Sequence, residues 1–295
     1  MVHEIIDALG GCTRVLDCTL GGGGHSQALL DAGIASVTGI DRDPEAIRVA
    51  SERLASYGDR FRAVSGDFTQ IDAIHALEGA TFDGILADLG VSSHQLNEDE
   101  RGFSFRPCVA LDMRMERDGD SAADWLNFTP ESELADAFRE YGDEPKARRL
   151  ASEIARRRSN RLFAVSDDLV GAIRAVLGAR SGPSDFARLF QAVRIAVNDE
   201  LRGLERVLPL LRDRLTPGGI MAIMSYHSGE DRRVKQAFRA WSTACTCPPK
   251  QPFCTCGGVA LGTLVTRKAV TAAPEEAEHN PRARSARLRV WRKNA

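Results

Sequence analysis

Short apolar runs and helical repeats alternate along much of the chain. Apolar runs of about four to eight residues predict buried strands, and apolar residues three or four positions apart predict helices. The predicted strands are Arg14–Cys18, Ser36–Ile40, Phe61–Ser65, Gly84–Ala87 and Ile220–Ser225. Helices are predicted at Ser26–Ala32, Pro44–Ser56 and near Asp199–Leu215. The alternation favours an α/β fold with a mostly parallel sheet.

The strand pattern stops after Asp88 and resumes only near residue 220. Amphipathic helical patterns fill the interval, at Glu131–Tyr141, Pro145–Arg158 and Asp167–Leu177. We therefore predict an α/β domain of residues 1–99 and 197–295, interrupted by an all-helical insertion of residues 100–196. The segment "AVTAAPEEAEHNP", residues 269–281, predicts an exposed linker before a basic tail.

Composition sets the class of protein. A chain of 295 residues that is 43% hydrophobic and 27% charged is typical of a soluble globular protein. No apolar run approaches the roughly 18 residues of a membrane span, and the start "MVHEIIDALG" has acids where a signal peptide is basic. Seven cysteines, an odd number, argue against a secreted disulfide framework. We expect a cytoplasmic protein without membrane association.

Charge is strongly segregated along the chain. Residues 1–138 carry 25 acidic and 10 basic side chains, a net charge of −15, whereas residues 215–295 carry 13 basic and 5 acidic ones, a net of +8. Basic residues cluster in "KARRLASEIARRRSNR" (Lys146–Arg161) and "RARSARLRVWRK" (Arg282–Lys293). Arginine-rich usage can reflect genome composition, but such clustering is typical of a protein with a polyanionic partner.

Polar residues stand at the ends of successive predicted strands. The glycines Gly21–Gly24 join the first strand to a helix, a turn that aims backbone N–H groups at a ligand. Asp17 precedes them in a D-x-x-x-G-x-G pattern, and no glycine stands where a dinucleotide fingerprint needs its third. Asp41 ends the second strand, where a carboxylate can accept both hydroxyls of a ribose. Phe68 follows the third strand and Asp88 ends the fourth.

Each of these residues alone has an ordinary structural explanation. Asp41 could cap a helix, Phe68 could belong to the core, and Asp88 could form a turn. Together they occupy the carboxyl ends of four consecutive strands, where open α/β sheets bind their ligands. The pattern therefore favours a nucleoside-type cofactor.

Several longer phrases resemble one family. They are "GGGGHS", "IDRDPEAI", "DLGVSSHQL", "RGFSF", "LDMRM", "FQAVRIAVNDEL", "YHSGEDR" and "NPRARSARLR". In this order they resemble the ribosomal RNA small-subunit methyltransferase H family (MraW), from about Glu4 to the C-terminus. The resemblance implies a Rossmann-like fold that binds S-adenosylmethionine (SAM) and methylates N4 of one cytidine in the decoding region of 16S rRNA. It also implies that the small ribosomal subunit is the partner and that DNA is not.

The resemblance also implies particular site residues. The cofactor-binding set is Gly23, Gly24, His25, Asp41, Phe68, Asp88 and Gln95. Several positions depart from the family pattern: Ala110 replaces a proline, "ARLFQ" replaces a threonine-containing form, and Tyr226 and Gly229 replace the phenylalanine and leucine of "SFHSLEDR". The segment that usually precedes "EIIDAL" is also absent, which predicts a shortened start.

Asp88, Tyr226 and His227 are the candidate catalytic residues. The exocyclic amine of cytosine is a poor nucleophile, and an acceptor that holds one N–H would localise its lone pair. "DLGV" keeps the acid of amino-methyltransferase motifs but lacks their prolines and aromatic residue, so another aromatic must stack the base; Phe103, Phe105 and Tyr226 are candidates. His227, with Glu230 and Asp231, could relay a proton, clamp the substrate or cap the helix that follows.

Two matters stay open at this point. "CTCPPKQPFCTC" offers four thiols, but C-x-C pairs depart from the usual C-x₂-C zinc spacing, so we expect no metal. The alternative functions are a methyltransferase of another nucleic acid or of a small-molecule amine, and a non-catalytic RNA-binding module. The helical insertion is the predicted RNA-recognition domain, and a homo-oligomer is left open.

Overall fold

A computed structural model divides the chain into two compact units. The first comprises Met1–Gly90 and Leu201–Ala295, and the second Val91–Glu200. The structure describes residues 1–90, 101–115, 119–245, 247–248, 251, 253 and 255–295, with the backbone alone at 277, 279, 281 and 282. No helix in these described ranges is both long and apolar enough to cross a membrane.

An eight-stranded sheet forms the centre of the first unit. Its strands are β1 (Arg14–Asp17), β2 (Ser36–Asp41), β3 (Phe61–Ser65), β4 (Phe82–Asp88), β5 (Leu215–Ser225), β6 (Gly262–Leu264), β7 (Val270–Thr271) and β8 (Arg287–Lys293). The spatial order is β3-β2-β1-β4-β5-β8-β6, with β7 paired to β8. Strands β1 to β5 are parallel, and β8 runs antiparallel to β5. The predicted α/β fold with a mostly parallel sheet is confirmed.

The α-helices follow the strands in the order expected of an α/β unit. In chain order they are α1 (Val2–Leu9), α2 (Gly24–Asp31), α3 (Pro44–Leu54), α4 (Ala122–Phe128), α5 (Glu131–Glu140), α6 (Ala147–Arg158), α7 (Ser166–Leu177), α8 (Pro183–Val197), α9 (Glu200–Asp213), α10 (Ser228–Trp241) and α11 (Pro274–His279). Helices α4 to α8 all belong to the second unit.

Apolar side chains of the central strands pack on both faces of the sheet. Adjacent strand residues point to opposite faces. Val15 of β1 packs in a cluster with side chains of α1, α2 and α3, whereas Leu16 packs in a second cluster with α9 and α10. The indole of Trp291 on β8 is fully buried in that second cluster and donates to Ser242 Oγ at 3.0 Å.

The second unit has a separate core. One face of α6 buries Ala147, Leu150, Ala151 and Ile154 completely, beside Phe138 of α5. Helix α8 was not predicted from the sequence, although Phe186, Leu189, Phe190 and Val193 of its buried face recur three and four residues apart, the pattern of an amphipathic helix.

The C-terminal segment corrects the sequence analysis. The predicted linker contains β7 and α11, and much of the predicted basic tail is strand β8, paired with β5. Its Leu288 and Val290 are buried, and Arg289 is buried by pairing with Asp231. The alternation of arginine with apolar residues is therefore a strand pattern, which the charge count concealed.

Candidate active site

Three aspartates end neighbouring parallel strands. Asp17 ends β1, Asp41 ends β2 and Asp88 ends β4. Strand β1 lies between β2 and β4, so the strand order reverses at β1: β2 and β3 lie on one side of it, and β4 and β5 on the other. The carboxyl edge at such a switch point is where open α/β sheets form a ligand crevice.

The glycine-rich turn needs its glycines for two different reasons. Gly21 and Gly23 have positive φ angles of 50° and 77°, which side chains disfavour. A Cβ on Gly23 would also lie 3.1 Å from Leu54 and 3.2 Å from Ala50, so helix α3 is what approaches this backbone closely. Gly22 and Gly24, by contrast, are exposed. Their bare backbone is left accessible to a ligand.

Asp17 holds this turn from inside the protein. It is 1% exposed, and its carboxylate accepts from Ser26 Oγ at 2.8 Å and from the Thr19 amide at 3.1 Å. Burial raises the pKa of Asp17, while its hydrogen bonds and the nearby His25 oppose that rise. Asp17 therefore fixes the start of α2 relative to β1.

Both carboxylate oxygens of Asp41 accept backbone hydrogen bonds. Its Oδ2 accepts from the Gly21 amide at 2.8 Å and its Oδ1 from the Asp43 amide at 2.9 Å. Each oxygen keeps a further lone pair, because a carboxylate offers about four acceptor positions. The helix cap considered for Asp41 is Asp43 instead, whose Oδ1 accepts from the Glu45 amide. Burial raises the pKa of Asp41, and the two backbone bonds partly offset that effect.

Asp88 lies at the centre of a polar group that joins distant parts of the chain. Its Oδ1 accepts from the Tyr226 hydroxyl at 2.9 Å, and its Oδ2 lies 3.3 Å from His25 Nε2. Its own amide donates to Thr19 Oγ1 at 2.7 Å. The sequence analysis did not identify Thr19 or Ser26, and only their places beside the glycine-rich turn could have drawn attention to them.

This arrangement sets the protonation of the groups around Asp88. Burial raises the pKa of Tyr226 strongly, and the charge of Asp88 raises it further, so the phenol stays neutral and donates. Burial would lower the pKa of His25, yet its hydrogen bond with Asp88 and the charge of Asp88 raise it overall. Two side chains therefore hold the Asp88 side chain in one orientation.

His227 and the acids after it have structural partners. His227 is the N-cap of α10, where its Nδ1 faces the Glu230 amide at 3.4 Å and Glu230 Oε2 accepts from the Tyr226 amide at 2.8 Å. Asp231 pairs with Arg289 through contacts of 2.7 and 3.0 Å. Of the roles considered for His227, the structure shows the helix cap.

The remaining predicted residues lie elsewhere. Phe68 is half-buried and packs against the core cluster of the first unit, and Gln95 lies outside the described residues. Phe103 and Phe105 belong to the second unit, where Phe105 contacts the rings of Phe186 and Phe190. The structure therefore brings together Asp88, His25 and Tyr226, and separately Asp41 with the glycine-rich turn.

Sequence comparisons with known proteins agree on one family. A sequence model described as the MraW methylase family matches residues 1–294. The chain is 58% identical over 295 residues to the ribosomal RNA small subunit methyltransferase H of Gemmatimonas aurantiaca, covering 99% of this chain and 93% of that protein. It is 44% identical over 303 residues to the protein of the same name from Heliobacterium modesticaldum, covering 99% and 97%. An rRNA methylase from Streptococcus thermophilus is similar in structure over 100% of this chain and 94% of that one, with a TM-score of 0.44 and 11% identity.

Proposed function

The chain belongs to the MraW methylase family, as a SAM-dependent methyltransferase of small-subunit ribosomal RNA, and we propose that its target is N4 of one cytidine in the decoding region of 16S rRNA. The observation that carries the choice of an amine is the fixed carboxylate of Asp88. An oriented acceptor at the ligand edge of the sheet suits a nucleophile that must give up an N–H.

The residues at the sheet edge fit SAM. Asp41 keeps free lone pairs for the ribose hydroxyls, and Gly22 and Gly24 leave exposed backbone for the amino acid part. The half-buried ring of Phe68 follows β3, where it would lie beside the adenine. Three carboxylates at one edge also favour a ligand that carries positive charge on sulfur and nitrogen.

The protein's part in the reaction is alignment and polarisation. SAM supplies a methyl group already activated by its sulfonium. Asp88 would accept one N–H of the cytosine amine and localise the nitrogen lone pair toward that methyl, and holding the two in line removes much of the barrier. The nitrogen becomes strongly acidic as its new bond to carbon forms, so its proton passes to solvent without a dedicated base.

Tyr226 and His25 would keep Asp88 in position. The phenol donates to one carboxylate oxygen, and the imidazole faces the other at 3.3 Å. Tyr226 is also a candidate for stacking the cytosine, because its ring is half-buried at the same edge. His227 would act indirectly: it caps the start of α10, and Tyr226 is the residue immediately before it.

We assign RNA capture to helix α6 of the second unit. Its buried face points Arg148 and Arg149 to solvent, and neither makes an ion pair or hydrogen bond in the part of the chain that the structure describes. Arg156 and Arg157 differ, because Glu153 pairs with both, at 2.8 and 2.7 Å. The two unpaired arginines are therefore the candidates for phosphate contacts.

Methyl transfer to ribosomal RNA tests the proposal. Small subunits from a strain that lacks the chromosomal enzyme are incubated with the protein and SAM, and the RNA nucleosides are analysed by mass spectrometry. We expect one N4-methylated cytidine per subunit, located by fragment mapping. Methylation of another atom, or of a protein or small molecule and not RNA, would contradict the assignment.

A further inference from the structure

Three cysteine thiols converge in the segment between α10 and β6. The Sγ atoms of Cys245, Cys247 and Cys256 all lie within 4.8 Å of one another. The Sγ atoms of Cys245 and Cys256 are 3.8 Å apart, too far for a disulfide, whose S–S bond is about 2.05 Å. The established methyl transfer has no use for these thiols.

The spacing of the sulfur atoms matches one ligand class. Zinc binds thiolates at about 2.3 Å in a tetrahedron, which places pairs of sulfur atoms about 3.8 Å apart. The pair Cys245 and Cys256 already has that separation, and the third sulfur needs a shift of about 1 Å or less from the 4.8 Å limit. The C-x-C spacing counted against a metal in the sequence, but residues two apart in an extended chain point to the same side.

The backbone around the thiols is shaped to bring them together. Gly257 has a φ of +58°, and a Cβ on Gly258 would lie 2.2 Å from the carbonyl oxygen of Ala244. Glycine is therefore required for the chain after Cys256 to approach the chain before Cys245. The Thr255 amide also faces Cys247 Sγ at 3.4 Å, as the N–H groups around metal-bound thiolates do.

Apolar packing does not hold the described residues of this segment. Among the described residues from 242 to 261 none is buried, and Phe253 and Val259 are 81% and 77% exposed. The connection between α10 and β6 is about 20 residues long and none of its described residues lies in a helix or strand, which is unusual in a compact unit. Small segments that lack a core are commonly held by disulfides or by a metal.

We propose that Cys245, Cys247 and Cys256 form a structural site for a thiophilic divalent cation, Zn²⁺ in the cell. On binding, the three thiols lose their protons to solvent and form three sulfur–metal bonds, with a fourth position left for a further ligand. The site fixes the loop between α10 and β6 and keeps two exposed thiols and one half-buried thiol from oxidation. The spacing of the cysteines in the sequence led us to expect no metal, whereas the distances between their sulfur atoms in the structure favour one.

Metal content of the full chain tests the site. The protein is purified in reducing buffer with Zn²⁺ present, freed of excess ion, and analysed by mass spectrometry of the elements. We expect about one zinc per chain in the wild type. Cys245→Ser and Cys256→Ser should each lose it, while Cys108→Ser, which changes an exposed thiol of the second unit, should retain it.

Cobalt gives a second measurement that does not depend on folding of the variants. Co²⁺ added to the zinc-free wild type should produce the near-ultraviolet absorption of thiolate-to-cobalt charge transfer, and Zn²⁺ should abolish it. SAM titration, which reports on the first unit, should be the same for all proteins. A wild type without zinc and without this absorption would overturn the proposal, as would equal zinc loss in Cys108→Ser or a Cys245–Cys256 disulfide in reducing buffer.

Discussion

Replacing Asp88 by asparagine changes the charge at the centre of the proposed active site and little else. The carboxylate accepts from the Tyr226 hydroxyl at 2.9 Å and lies 3.3 Å from His25 Nε2. The amide keeps one acceptor oxygen, and a phenol can turn to accept a hydrogen bond as well as donate one. We therefore expect Asp88→Asn to fold, with its backbone bond to Thr19 intact.

The expected loss of turnover can be worked from these contacts. A hydrogen bond to a charged acceptor contributes about 1.5–3 kcal/mol, against about 0.5–1.5 kcal/mol for a neutral one. Removing one preoriented polar group from a transition state typically costs about 2.7–4 kcal/mol, roughly 100- to 1000-fold in kcat. We expect turnover to fall about 100-fold. The Kd for SAM should change less than about tenfold, because the proposed main contacts are those of Asp41 and the glycine-rich turn.

Single-turnover methylation of unmethylated small subunits measures the first quantity, and isothermal titration with SAM measures the second. Tyr226→Phe is the matched variant, since it removes a partner of Asp88 while keeping the carboxylate and an aromatic ring. It should lose about tenfold or less, the worth of one hydrogen bond. Turnover of folded Asp88→Asn within about threefold of the wild type, under 1 kcal/mol, would refute the role given to the carboxylate.

Three further predictions concern other parts of the molecule. Asp41→Ala should weaken SAM binding by about 1–3 kcal/mol in a titration, because two ribose hydroxyls lose their acceptor; unchanged affinity in a folded variant would exclude the ribose contact. Arg148→Gln with Arg149→Gln should lower RNA affinity and flatten its salt slope by about one unit per lost contact. The control is the same change at Arg156 and Arg157 of this helix, which pair with Glu153. An equal loss of RNA affinity in the control would indicate that the net charge of the helix matters and not contacts of Arg148 and Arg149. Asp231→Ala should lower the free energy of unfolding by about 3–5 kcal/mol in denaturant melts, because it leaves Arg289 buried and unpaired. Burial alone would raise the pKa of Asp231, but its hydrogen bond to Arg289 outweighs burial and the pKa is lowered. The stabilisation by Asp231 is therefore present above the pKa that this group has in the unfolded chain, and it is lost as pH falls through the lower pKa of the folded protein. A difference between wild type and Asp231→Ala that does not depend on pH would contradict this prediction.

The sequence predicts most of what local pattern determines. All five parallel strands were found, and the ends of four of them were displaced by one to five residues. The Asp43-Pro44 pair is a sufficient sequence signal for the cap of α3. Strand β8 was missed because its arginines were counted as free charges, although alternation with Leu288 and Val290 was visible.

Contacts between distant residues could not be predicted in this way. Tyr226 lies 138 positions from Asp88, and no periodicity links them. The choice between relay and cap for His227 needed the position of Glu230 in three dimensions. Likewise, the C-x-C spacing in the sequence counted against a metal. What brings the cysteines together is the close approach of Gly258 to Ala244, a feature of the backbone that the sequence pattern does not reveal.

The three aspartates at the sheet edge show how one residue type serves three purposes. Asp17 is fully buried and bonded to Ser26, so it holds the turn and has no reach to a ligand. Asp41 is half-buried with a backbone hydrogen bond on each oxygen, and its remaining lone pairs are those proposed to accept the ribose hydroxyls. Asp88 differs because the neighbours of its two oxygens are side chains, those of Tyr226 and His25. A substitution at either neighbour can therefore change the contacts of Asp88 without moving the backbone. The motif "SFHSLEDR" has phenylalanine at the position of Tyr226. The hydroxyl of Tyr226 therefore gives Asp88 a hydrogen bond that a phenylalanine could not make.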